Sequence, residues 1–204
     1  MSDAASDDSL AGVTYWGCTS KLHRLCLEAE QKPVVCSWDR VIDFMITNPQ
    51  EANETAVIQE GQLKLTPLGI ACQGAPPEIV KAILDVAPQA IKLGDKYACL
   101  PIHRAALQNR LSHATESISI LLDADPSTLM IQDGWGRTPL MCGLDSGMGV
   151  ASPDVIQLLI GDGRPVAVRN KKGKLPSDII SSKQCASEDD RSLISVRLSS
   201  YISE

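Results

Sequence analysis

Four residues near the start of the chain have the chemistry of a metal site. Cys18, His23, Cys26 and Cys36 fall within one short segment, and zinc takes thiolates and imidazoles in tetrahedral sites. The spacing argues against it, because no Cys-x-x-Cys pair is present. A nucleophilic cysteine is the second possibility. It needs a base beside it and a group that orients the base. The chain offers three histidines for that task, His23, His103 and His113, and no catalytic pattern joins any of them to a cysteine. Glycine-rich pieces occur at Gly134-Trp135-Gly136 and from Gly143 to Gly149, but they lack the lysine and the preceding strand of a nucleotide site. These absences predict no catalytic residue, no resident metal, no cofactor and no small-molecule substrate. A cysteine-dependent enzyme and a zinc site at Cys18, His23, Cys26 and Cys36 stay as alternatives.

The elements that would position such residues recur along the chain. Asp133-Gly134-Trp135-Gly136-Arg137-Thr138-Pro139-Leu140 reads as a tight turn entering a helix. Gly134 and Gly136 supply positive φ, Thr138 is the N-cap and Pro139 the first helical residue. The proline of that pattern returns as Pro67, Pro101, Pro139 and Pro176, at steps of 34, 38 and 37 residues. A second marker, Asn48-Pro49, Ala87-Pro88 and Asp125-Pro126, keeps steps of 39 and 38. Two markers in phase predict a repeat architecture.

The unit resembles the ankyrin repeat, whose signature Thr-Pro-Leu-His-x-Ala has a period of about 33 residues. The resemblance is carried by Thr66-Pro67-Leu68-Gly69-Ile70-Ala71-Cys72, by Leu100-Pro101-Ile102-His103-Arg104-Ala105-Ala106 and by Thr138-Pro139-Leu140-Met141-Cys142-Gly143. Each is followed by a second apolar helix, at 78–84, 117–122 and 154–160. Leu22-His23-Arg24-Leu25-Cys26 is a degenerate first helix, with Trp38 to Ile46 as its partner. Only His103 keeps the signature histidine in those three repeats; Gly69 and Met141 replace it elsewhere. The resemblance implies that His103 hydrogen-bonds backbone of the neighbouring repeat. It also implies an all-α solenoid of about five helix-turn-helix repeats, with hairpin-like loops and capping terminal helices. The units run over about 20–60, 61–92, 94–132, 133–168 and 169–204. They form one domain, 15–204, after an acidic, disordered tail at 1–14. Extra loop residues at 109–116 and 145–152 are expected to project from one side of the stack. Ser187 to Asp190 reads as the capped start of a final helix with an apolar stripe through Leu193, Ile194, Val196, Leu198, Tyr201 and Ile202.

Composition bounds the rest. Net charge is −6, which gives no overall electrostatic attraction for nucleic acid. The one basic run, Arg169-Asn170-Lys171-Lys172-Gly173-Lys174, reads as a solvated turn. No apolar run is long enough for a membrane span, and the acidic N-terminus is unlike a secretory signal. The seven cysteines read as reduced core residues, predicting an intracellular protein, cytoplasmic or nuclear.

The resemblance also implies a binding surface. In ankyrin-like proteins the turn before each first helix projects as a finger with a variable tip. Counting three back from each Thr-Pro position gives Leu63, Tyr97, Trp135 and Lys172. Seven residues in the chain are aromatic, and two of them stand at this non-core position. Tyr and Trp are enriched at interface hot spots. Leu63, Tyr97 and Trp135, with Lys96, Arg137 and Lys172 at the rim, are therefore the expected partner-binding strip. The expected function is protein binding as an adaptor, scaffold or inhibitory subunit; the alternative is a structural subunit embedded in a larger assembly.

Overall fold

A computed structural model describes residues 20–31, 38–60, 63–108, 113–146, 150–181 and 188–201. Among these, all regular structure is helical. Eleven α-helices run in order: α1 (Lys21–Gln31), α2 (Asp39–Thr47), α3 (Pro49–Thr55), α4 (Pro67–Ala71), α5 (Pro77–Val86), α6 (Pro101–Leu107), α7 (Ala114–Ala124), α8 (Pro139–Leu144), α9 (Pro153–Ile160), α10 (Pro176–Ser181) and α11 (Glu188–Ser200). The helices pack as pairs in two rows. In one row α1, α4, α6, α8 and α10 each meet the next; in the other, α5, α7, α9 and α11 do so, with α2 and α3 against α5.

Local chemistry explains why the short first helices start where they do. Thr66 Oγ1 accepts from the Gly69 amide at 3.1 Å, and Thr138 Oγ1 from the Met141 amide at 3.4 Å. Each hydroxyl satisfies an amide that the first helical turn leaves open, and proline follows at the position with no amide to satisfy. Leu100 has no hydroxyl. There the His103 imidazole does the work, its Nδ1 accepting from the Leu100 amide at 3.2 Å.

The core is aliphatic, with Leu22, Leu68, Ile83, Ile102, Ile118, Leu140, Ile156 and Leu159 fully enclosed. Phe44 is the one aromatic residue among the buried hydrophobics of the described segments. Small helices bring their backbones close, and chains without wide rings fill that space at high density.

Several boundaries differ from expectation. Asn48-Pro49 opens a full helix, α3, whereas Pro88 and Pro126 open short 3-10 turns. Arg164-Pro165 opens a third such turn, 39 residues beyond Pro126, so the proline marker has a fourth member that sequence reading did not pick out. The 109–116 segment is not all loop, since α7 begins at Ala114. The 145–152 segment does not project as a whole: Ser146, Val150 and Ala151 are buried, and Ser152 caps α9. Pro176 opens α10, in line with the first proline series. The expected disordered tail at 1–14 and the Ser187 cap lie outside the described residues.

The final helix docks rather than standing free. Ile194 and Leu198 are buried, α11 packs on α9 and α10, and Arg197 Nη1 donates to the Pro153 carbonyl at 2.9 Å. Its apolar stripe is only partly used, because Leu193 and Val196 face solvent.

Candidate functional site

The turns before α6, α8 and α10 share one construction. In each, a side-chain oxygen organises five residues. Asp95 Oδ1 accepts from the amides of Tyr97 and Cys99, at 2.7 and 3.0 Å. Asp133 Oδ1 does the same for Trp135 and Arg137, at 2.9 and 2.8 Å. Asn170 Oδ1 does so for Lys172 and Lys174, at 2.9 and 3.1 Å. Each turn is closed across its base, from the Asp95, Asp133 or Asn170 amide to the carbonyl four residues on. The fourth residue of each turn has positive φ: Ala98, Gly136 and Gly173, with Lys64 at the matching place before α4. The tip residue precedes it, which puts Leu63, Tyr97, Trp135 and Lys172 at the tips.

Successive fingers are bonded to one another through these tips. The Leu63 carbonyl accepts from the Lys96 amide at 2.9 Å, the Tyr97 carbonyl from Gly134 at 2.7 Å, and the Trp135 carbonyl from Lys171 at 3.1 Å. This contact explains Gly134. Its φ is not positive, contrary to the sequence reading; instead, a Cβ there would lie 2.7 Å from the Tyr97 oxygen. Gly136 is constrained twice, by a φ of +75° and by the Lys171 nitrogen 2.7 Å from where its Cβ would sit.

One buried carboxylate ties its finger to the following helix, and another braces its own finger. Asp95 pairs with Arg104. Asp133 Oδ2 accepts from Arg137 Nε at 2.8 Å, with Nη2 also at 2.8 Å, and the Asp133 side chain is fully enclosed. Cys99 and Cys142 place their sulfurs 3.8 and 3.9 Å from the same oxygen. Burial pushes the Cys26, Cys72 and Cys142 thiols far up and Cys99 to about 11. His103 ties the second finger's helix to the third finger. Its Nδ1 accepts, so Nε2 carries the proton and donates to the Arg137 carbonyl at 3.1 Å. Burial pulls this imidazole down to about 4. His23 is enclosed in the same manner, lowered chiefly by burial, with Glu60 3.9 Å from its Nδ1.

The fingers bring together some of the predicted strip and not the rest. Tyr97 and Trp135 are in ring contact, centroids 5.0 Å apart and planes at 34°, yet they stay 40 and 47% exposed. Lys96 Nζ lies 5.0 Å over the Tyr97 ring, and the Arg137 guanidinium lies 4.8 Å over Trp135. Arg137 is only 18% exposed and is held by Asp133, so it braces the finger more than it offers a free charge. Leu63 is half-buried and packs against the core. Lys172 is exposed at its tip.

Sequence reading missed a cavity of about 510 Å³ beside this strip. It is lined by Asn170, Lys171, Lys172 and Lys174 of the last finger, by Trp135 and Arg137 of the one before, and by Asp145 and Ile179. The basic run, read as a solvated turn, carried the only signal for it. His113 is exposed and borders a second cavity of about 230 Å³ with Cys72 and Gln108. Of the suggested zinc ligands, Cys18 and Cys36 lie outside the described residues, His23 and Cys26 are buried in α1, and no cluster of three or more metal-binding side chains occurs among the described residues.

Compared with models of protein families and with curated proteins, the chain gives no match. No described helix is long and apolar enough to cross a membrane.

Proposed function

We infer that the chain is an ankyrin-like stack of about five repeats, capped at its ends, whose finger face binds another protein. It acts as an adaptor, scaffold or inhibitory subunit in an intracellular compartment. The observation that carries this reading is the Tyr97–Trp135 pair, raised on hydrogen-bonded fingers and left close to half exposed. Mutual ring contact accounts for about 0.5–1.5 kcal/mol of its placement. Burying the remaining ring surface requires a second molecule, and rings at such positions are the type that dominate interfaces. Rigid, concave repeat surfaces suit that role.

A nucleophilic role for the described cysteines is disfavoured by chemistry. All four are enclosed, and burial raises their thiols, whereas a nucleophile needs a lowered one. The embedded-subunit reading draws on Ile46, Leu193 and Val196, apolar residues exposed on α2 and α11 at opposite ends of the stack.

The test is capture of partners from native extract by the natural chain and by a Tyr97→Ala/Trp135→Ala variant of matched thermal stability. Loss of specific partners is expected, with affinity reduced about 30-fold or more from two hot-spot truncations. Identical partners and affinities for both chains would remove the finger face from consideration.

A further inference from the structure

We propose that the last two fingers take an acidic peptide segment, seating one of its apolar side chains in the cavity between Trp135 and Ile179 and placing its carboxylates on Lys172 and Lys174. This deepens the binding reading above and rests on it.

The charge distribution selects the occupant. The chain as a whole carries −6, but residues 163–177 contain Arg164, Arg169, Lys171, Lys172 and Lys174 and no acidic residue. Most of these cations are already engaged. Arg164 pairs with Asp162, Arg169 Nη1 donates to the Gly173 carbonyl at 2.7 Å, and Lys171 Nζ donates to the Gly134 carbonyl at 2.7 Å. Lys172 and Lys174 have their amides held by Asn170, while their ammonium groups meet no acceptor among the described residues. The finger therefore fixes the backbone from which two cations without an acceptor emerge, on either side of Gly173. At the cavity wall Arg137 is matched by Asp133, and Asp145 opposes the three lysines, so the wall keeps a positive balance. An acidic segment gains charge complementarity there that a neutral or basic one lacks. Ile179 and the Trp135 ring give the same cavity an apolar component.

A single-stranded nucleic acid would also meet positive charge beside aromatic rings. The rings disfavour it. Base stacking uses an open ring face, whereas Tyr97 and Trp135 already lie against each other, with Lys96 and Arg137 over them.

The experiment is a selection from a displayed library of random 12-residue peptides on the intact chain, followed by affinity measurement on the Lys172→Glu/Lys174→Glu variant and on Trp135→Ala. Both lysines are exposed and at a surface turn, so the charge variant keeps the fold. Enriched peptides are expected to be rich in Asp and Glu around an apolar residue. They should lose about tenfold or more in affinity on the charge variant and weaken with added salt. Enrichment without acidic bias, no enrichment, or affinity indifferent to the two lysines would overturn the proposal. Tighter binding of a twenty-nucleotide oligo-dT strand than of the best peptide would overturn it in favour of nucleic acid. If native partners depend on Tyr97 and Trp135 but not on Lys172 and Lys174, the binding reading stands and this inference fails.

Discussion

Asp133 does two jobs with two oxygens, and substitution separates them. Oδ1 shapes the finger by accepting from the Trp135 and Arg137 amides, and Oδ2 holds the Arg137 guanidinium. Asp133→Ala loses both and leaves a guanidinium that is 18% exposed without its counter-charge. Removing one partner of a buried pair costs about 3–5 kcal/mol, and for a chain of this size about 2–4 °C of Tm follows each kcal/mol. A fall of about 10 °C or more is expected. Asp133→Asn keeps an Oδ1 equivalent, as Asn170 does natively in the last finger, and loses only the ion pair. It should cost about half as much. The assay is thermal unfolding followed by far-UV circular dichroism and tryptophan emission, with both substitutions repeated in an Arg137→Ala background. There, Asp133→Asn should add less than about 1 kcal/mol, since the ion pair is already gone. The reasoning is refuted if Asn is as damaging as Ala, or if the Asn penalty is unchanged without Arg137.

Acid should destabilise the fold through His103. Its folded value is about 4 against an ordinary 6.5, so the contribution is complete above pH 6.5 and is lost as pH falls toward 4, by about 3 kcal/mol in all. Urea midpoints across that range should slope less steeply in His103→Gln than in the natural chain. Positive-φ positions should respond with opposite signs: Gly136→Ala is expected to cost at least about 2 kcal/mol from strain plus the Lys171 contact, whereas Ala98→Gly should be neutral or stabilising, read as shifts in the same midpoint.

How much of this was legible beforehand follows from the range of the forces involved. Helix starts were readable because Thr66, Thr138 and the prolines act on their own next turn. Tip positions were readable because they stand at a constant count from those caps. What escaped reading depends on contacts between units. The reason for Gly134 is a carbonyl 37 residues earlier, and the engagement of Arg137 depends on the burial of Asp133. Leu63 has the sequence offset of a tip but packs against the core. The cavity needs Ile179 and Asp145 brought beside the last finger by α8 and α10, which no local pattern announces.

The bonded finger tips also decide where the chain tolerates insertions and deletions. The prolines that follow successive fingers are 34, 38 and 37 residues apart, yet the finger hydrogen bonds keep one pattern throughout. The variation is absorbed in the helices as well as in the joints of each pair: α4 and α6 have five and seven residues, α7 and α9 eleven and eight, and five, six and eight residues separate α4 from α5, α6 from α7 and α8 from α9. Length changes at those joints leave the tip-to-tip reading frame intact. A single residue gained or lost inside a finger would shift its tip and break the bond to the next, so the finger face is insulated from length changes elsewhere in each unit.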